Sequence, residues 1–150
     1  MVTIDTTLLI SSPPETVFEY VADLRKEVRW NPTMLSAALT TDGPLRVGSV
    51  FRIKARQFGE FDVRILRYEP PGLVSAVAEM KPMRSAYTYQ VEPIDGGSRL
   101  RHSTDITPRG AMNLLRPFVG IIVRRQLKMM FSRLKELLES SETKGASVGL

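Results

Sequence analysis

The chain has 150 residues, 43% of them hydrophobic and 25% charged, with a formal charge of +5. That length suits one domain with a real core, and the balance is that of a soluble globular protein. Cysteine is absent and histidine occurs once, which excludes disulfides, thiolate nucleophiles, cysteine-based zinc sites and histidine-rich metal sites. The opening "VTIDTTLLI" (2–10) reads as a strand. In "SSPPETVFEYVADL", Ser12 is placed to cap a helix, a proline suits its first turn, and Val17, Phe18 and Val21 recur at helical spacing. Asp23 opens a second short helical piece that ends before "WNP" (30–32), because Pro32 disfavours helix at Asn31.

Six strand candidates follow between Gly and Pro signals, at about 34–41, 49–57, 61–69, 73–80, 84–92 and 98–106. From about residue 111 the period changes. Leu127, Met130, Phe131, Leu134 and Leu138 share one face of a long helix. About 28 residues of it would extend roughly 42 Å. Pro117 kinks it or delays its start. The fold class expected is therefore α+β: a seven-stranded antiparallel sheet, two short helices after the first strand, and a long C-terminal helix covering one face. Residues 1–140 form the single domain and 141–150 a flexible tail.

Residue parity sharpens this for "YTYQVEPIDGGSRLRHSTDI" (87–106). A two-residue turn at Asp95-Gly96 sets Glu92 against Arg99, Gln90 against Arg101 and Thr88 against Ser103 on one face. On the other, Val91 meets Leu100, Tyr89 meets His102 and Tyr87 meets Thr104. The Gly-Gly-Ser at 96–98 is a turn, not a phosphate loop. For "FRIKARQFGEFDVRI", a three-residue loop at 58–60 sets Arg56 against Asp62 and, unfavourably, Lys54 against Arg64. Phe51, Ile53, Phe61, Val63 and Ile65 then point inward. The inner face thus carries Tyr87, Tyr89, His102 and Thr104 among aliphatics. Either these groups satisfy one another in a packed core, or they orient a ligand in a pocket beneath the helix.

In "SSPPETVFEYVADLRKEVRWNP" (11–32), "GSVFRI" (48–53), "RYEPPGLV" (67–74), the 87–106 hairpin and "RRQLKMMFSRLKELLE" (124–139), the chain resembles the START/Bet v 1-like (SRPBCC) helix-grip superfamily, and most its polyketide cyclase/dehydrase-like branch. The resemblance spans about residues 2–140. It implies a curved sheet gripping the C-terminal helix, with a hydrophobic cavity between them. It also implies small apolar or amphipathic ligands: lipids, polyketides, sterols or quinones. It implies no catalytic motif, since the family shares a shape more than a set of reactive residues.

The ligand-binding wall expected from these readings is Trp30, Phe51, Phe61, Tyr87, Tyr89 and Leu100, with His102, Thr104, Leu127, Met130, Phe131 and Leu134. An enzymatic alternative is a cyclase or dehydratase with His102 as general acid or base and Tyr89 or Tyr87 polarising a carbonyl. A third reading is an interaction module using Arg52, Lys54, Arg56 and Arg64 on the outer sheet, where Tyr68 is the only aromatic. Trp30 either stacks on ligand or anchors the short helices, and Met129 and Met130 offer an adaptable surface. The apolar run 118–123 is expected to be buried rather than to gate the cavity or touch a membrane. No cofactor, no metal, no specific nucleic acid and no transmembrane segment is expected, although peripheral membrane contact stays open. The protein is expected to be cytoplasmic and a monomer or weak dimer.

Overall fold

Alternating apolar residues lead the chain into β1 (Val2–Ile10). The computed structural model describes the backbone of residues 1–148 and the side chains of residues 1–140, so the tail expected at 141–150 lies outside the residues fully described. After β1 come α1 (Pro14–Ala22) and α2 (Leu24–Glu27). The strands β2 (Met34–Leu39), β3 (Val50–Ala55), β4 (Gly59–Glu69), β5 (Leu73–Glu79), β6 (Met83–Ile94) and β7 (Gly97–Pro108) follow. A 3-10 turn (Gly110–Leu115) leads into α3 (Arg116–Val148). The sheet order is β1-β7-β6-β5-β4-β3-β2, with every pair antiparallel.

Pro14 rather than Ser12 sets the start of α1: Pro13 is the N-cap and makes no side-chain cap bond. Ser12 is instead buried, and its carbonyl accepts a 2.6 Å bond from Ser98 Oγ at the start of β7. Next to it Gly97 lies against β1; a Cβ there would sit 2.1 Å from the Ile10 carbonyl oxygen. Asp23 does cap α2, accepting from the Arg25 amide at 3.1 Å. Pro117 delays α3 rather than kinking it, since it falls in the first turn, where its missing N–H costs nothing.

The β6–β7 register is the one expected, from Glu92–Arg99 through Tyr89–His102 to Tyr87–Thr104. The β3–β4 register is not. The loop is Arg56-Gln57-Phe58, and Lys54 pairs with Glu60 while Arg52 pairs with Asp62. The shift exchanges a like-charge pair for opposite-charge pairs, and because it is an even number of residues it leaves Phe51, Ile53, Val63 and Ile65 buried. A bulge between Ile65 and Arg67 then turns Tyr68 inward, where it packs on Phe18 at 5.6 Å between rings. Tyr68 is therefore not on the outer face with the arginines.

One core joins all layers. Phe131, Leu134 and Leu138 of α3 are buried, as are Val17, Phe18 and Val21 of α1. Trp30 stacks on Phe131 at 6.0 Å and anchors the α2 segment. The run 118–123 corrects its expectation: Val119 is buried, whereas Phe118, Ile121 and Ile122 are exposed.

Candidate functional site

Between the sheet and the first half of α3 lies a cavity of about 510 Å³. Its floor comes from alternate residues of β3 to β7, which is where parity sends the inward set. Its roof is Val119, Val123, Leu127 and Met130 of α3. The structure brings Phe61, Tyr87, Tyr89, His102, Thr104, Leu127 and Met130 to this wall. It does not bring Trp30, Phe51, Leu100, Phe131 or Leu134 there. Those five are packed behind it, at no more than 2% exposure, because α3 lies close to the sheet at its Phe131–Leu138 end. Met129 points outward, away from the cavity.

Five of the seven methionines, Met34, Met80, Met83, Met112 and Met130, line the cavity. Unbranched thioethers adapt to irregular shapes, so this wall suits an apolar ligand without fixing its outline. Ile122 both lines the cavity and is exposed, which places it at the rim. Exposed Gln57, from the β3–β4 loop, is also on the rim.

Two polar strips cross this apolar space. The first is on β6 and β7. The Ser85 and Thr104 hydroxyls are 3.0 Å apart. His102 lies 4.7 Å from the Tyr89 ring, 5.2 Å from Phe131 and 6.3 Å from Tyr87. Its Nδ1 is buried with no hydrogen-bond partner. Burial lowers the imidazole to about 4, with Asp5 pulling weakly the other way, so the ring is neutral at pH 7. Burial also raises the Tyr87 and Tyr89 phenols, helped by the Glu27 charge, so both remain donors.

The second strip was not legible in the sequence. Gln126 Nε2 donates to Thr33 Oγ1 at 3.2 Å, Thr33 Oγ1 donates to Asn31 Oδ1 at 2.7 Å, and Asn31 Nδ2 donates to Glu27 Oε2 at 3.1 Å. All four residues line the cavity, and the relay ties α3 to the end of α2. Desolvation raises Glu27 to about 7, while the Asn31 bond pulls it down. Near neutral pH this carboxyl is therefore poised between its two protonation states. Among the described residues Glu27 is the only acidic one of the lining, which includes no Lys or Arg. Among the described residues no cluster of three potential metal ligands occurs, and no helix is long and apolar enough to cross a membrane.

On the outer sheet face Lys54, Arg56 and Arg64 are exposed and make no ion pair among the described residues, whereas the other arginines there are partnered. Arg52 is bonded to Asp62 and Glu60, both at 3.1 Å, and Arg67 to Glu69 at 2.8 Å.

No curated protein matches the chain. Among solved structures it is similar to a START superfamily protein from Mycobacterium smegmatis, with a TM-score of 0.77 at 15% identity over 92% of this chain and 97% of that one. It is likewise similar to a putative uncharacterized protein from Rhizobium leguminosarum, with a TM-score of 0.72 at 18% identity over 93% and 95%. A third is Ara h 8.0201, with a TM-score of 0.70 at 16% identity over 93% and 98%. These likenesses show the helix-grip fold. The family described as "Polyketide cyclase / dehydrase and lipid transport" matches residues 1–139. With a match across nearly its whole length and a hollow under α3, the chain belongs to that family.

Proposed function

We propose that the protein binds a small, mostly apolar molecule with one neutral polar end, held between α3 and the sheet. The observation that carries this is the cavity itself, about 510 Å³, lined mostly by apolar side chains with Tyr87, Tyr89 and His102 among them. That volume lies in the range of small-ligand pockets, about 300–1,000 Å³. The Tyr87 and Tyr89 phenols and the Gln126–Thr33–Asn31 strip offer such an end neutral hydrogen-bonding groups. An ionised ligand head is disfavoured if it is an anion, because the lining offers it no cation and Glu27 would repel it. A lipid alcohol, a sterol, a quinone or a neutral polyketide satisfies these demands. A free fatty acid does not.

The test begins with native mass spectrometry of protein purified without detergent, where a bound apolar mass is expected. Titration at pH 7 then compares a long-chain alcohol with the fatty acid of equal length. The alcohol binds at least about tenfold more tightly, an advantage of roughly 1.4 kcal/mol. Tighter binding of the acid, or no binding by either, defeats the reading.

A second reading, a cyclase or dehydratase, is favoured by one observation: the Glu27 carboxyl near 7. A base works best when its pKa lies near the working pH, which suits Glu27 better than His102 at about 4. In an aldol closure, carboxylate Glu27 takes the proton from a carbon between two carbonyls. Tyr87 or Tyr89 donates to the enolate oxygen. The enolate carbon attacks a second carbonyl, whose oxygen recovers the proton. Glu27→Gln then abolishes turnover of a poly-β-ketone while leaving binding of the neutral alcohol intact. Turnover that survives Glu27→Gln and fails with His102→Phe returns the role to the imidazole.

A further inference from the structure

Between Asp105 and Glu136 the chain has no acidic residue and seven basic ones, whereas the rest of the chain carries 14 basic and 16 acidic residues. The whole positive excess therefore sits between the end of β7 and the middle of α3. The same segment exposes Leu114, Leu115, Phe118, Ile121 and Ile122, from 50% to 83%. Exposed apolar residues standing singly mean little; five between Leu114 and Ile122, across the end of the 3-10 turn and the start of α3, form a patch. Arg109 is held by Glu79 at 2.7 Å and Lys135 by Glu139 at 3.1 Å. Arg116, Arg124, Arg125 and Lys128 are exposed and make no ion pair among the described residues.

An apolar stripe flanked by unpaired cations is the pattern of a helix that lies in a membrane interface. Anionic headgroups attract each such cation near the surface. A second copy of the chain is a poorer occupant, since it would bring the same cations face to face. We infer that the protein docks on an anionic bilayer through this face, with Phe118 and Ile121 at the headgroup–acyl boundary and Arg116, Arg124 and Arg125 against lipid phosphates. Because Ile122 stands at the cavity rim, docking turns the mouth toward the lipid and gives an apolar ligand a dry route in or out. The inference goes beyond the cavity reading: the patch is a surface feature, and docking persists even if the cavity proves empty.

Co-sedimentation of the full chain with vesicles of phosphatidylcholine alone, or mixed with phosphatidylglycerol, tests it. Binding is expected to the anionic vesicles and to weaken as salt rises. Phe118→Ser with Ile121→Ser lowers the vesicle partition coefficient at least about tenfold. Arg124→Gln with Arg125→Gln lowers it roughly 30-fold. All four side chains are exposed, so thermal melting stays unchanged; Leu114→Ser, on the 3-10 turn, gives an independent loss in the same direction. The inference is overturned by no binding at low salt, by equal binding to neutral vesicles, or by binding that survives Phe118→Ser with Ile121→Ser. It is also overturned if those substitutions turn a lipid-free dimer into a monomer in sedimentation velocity.

Discussion

The two halves of α3 meet the sheet differently. Along residues 130–138 the helix is seated: Met130, Phe131, Leu134 and Leu138 are buried, and Trp30 stacks on Phe131. Along residues 116–127 it is held off, with Val123 and Leu127 only half-buried over the cavity and Phe118, Ile121 and Ile122 in the open. One apolar stripe thus serves two ends. At one it supplies packing energy; at the other it roofs a space. Periodicity sets which face of a helix turns inward. What packs against it sets how far it stands away: Trp30 and Tyr89 lie against Phe131 at the seated end, whereas the lifted end faces the cavity.

The largest expected effect breaks the seated half. Leu134→Ala, at a site with 0% exposure, costs about 2–5 kcal/mol in urea unfolding. Leu127→Ala, over the cavity, costs about 1 kcal/mol, because its side chain already lacks full packing. Equal losses would mean the two halves do not differ.

Next is the pH profile of the held-off half. Glu27 is raised on folding, from 4.5 to about 7, so its contribution to stability is complete below 4.5 and lost as pH rises through 7. His102 is lowered, from 6.5 to about 4, so its contribution is complete above 6.5 and lost as pH falls through 4. Each change is worth about 3 kcal/mol, and between pH 4.5 and 6.5 they oppose one another. Wild-type stability is therefore nearly flat there as far as these two groups are concerned. Glu27→Gln exposes the histidine, and stability rises with pH; His102→Phe exposes the carboxyl, and stability falls with pH. Chemical denaturation at a series of pH values checks both slopes. The smallest effect lies outside both halves: Arg52→Gln on the outer sheet leaves the urea unfolding midpoint unchanged, since its ion pairs are solvated.

What the sequence made legible follows from how many constraints met at one place. The β6–β7 register was overdetermined by the Asp95-Gly96 turn, the Glu92–Arg99 pair and the apolar opposite face. The β3–β4 register was not, because a slip of an even number of residues keeps the same side chains inward. Only the pairing of Lys54 with Glu60 and Arg52 with Asp62 distinguishes the two, and Glu60 had been assigned to the loop. The floor of the site was legible by parity, so Tyr87, Tyr89, His102 and Thr104 were found. Parity could not separate Leu100 from His102, both inward on β7, of which only His102 reaches the cavity. Glu27 was illegible for another reason. A lone carboxylate in "LRKE" reads as surface, and only the tertiary fold closes over it.

The stack of Trp30 on Phe131 carries a spectroscopic consequence. The chain has a single tryptophan, so fluorescence excited at the red edge, where its tyrosines do not absorb, comes from one indole, seated at the junction between the fixed and the lifted parts of α3. Emission from that ring reports directly on whether filling the space next door disturbs the anchor or leaves it still.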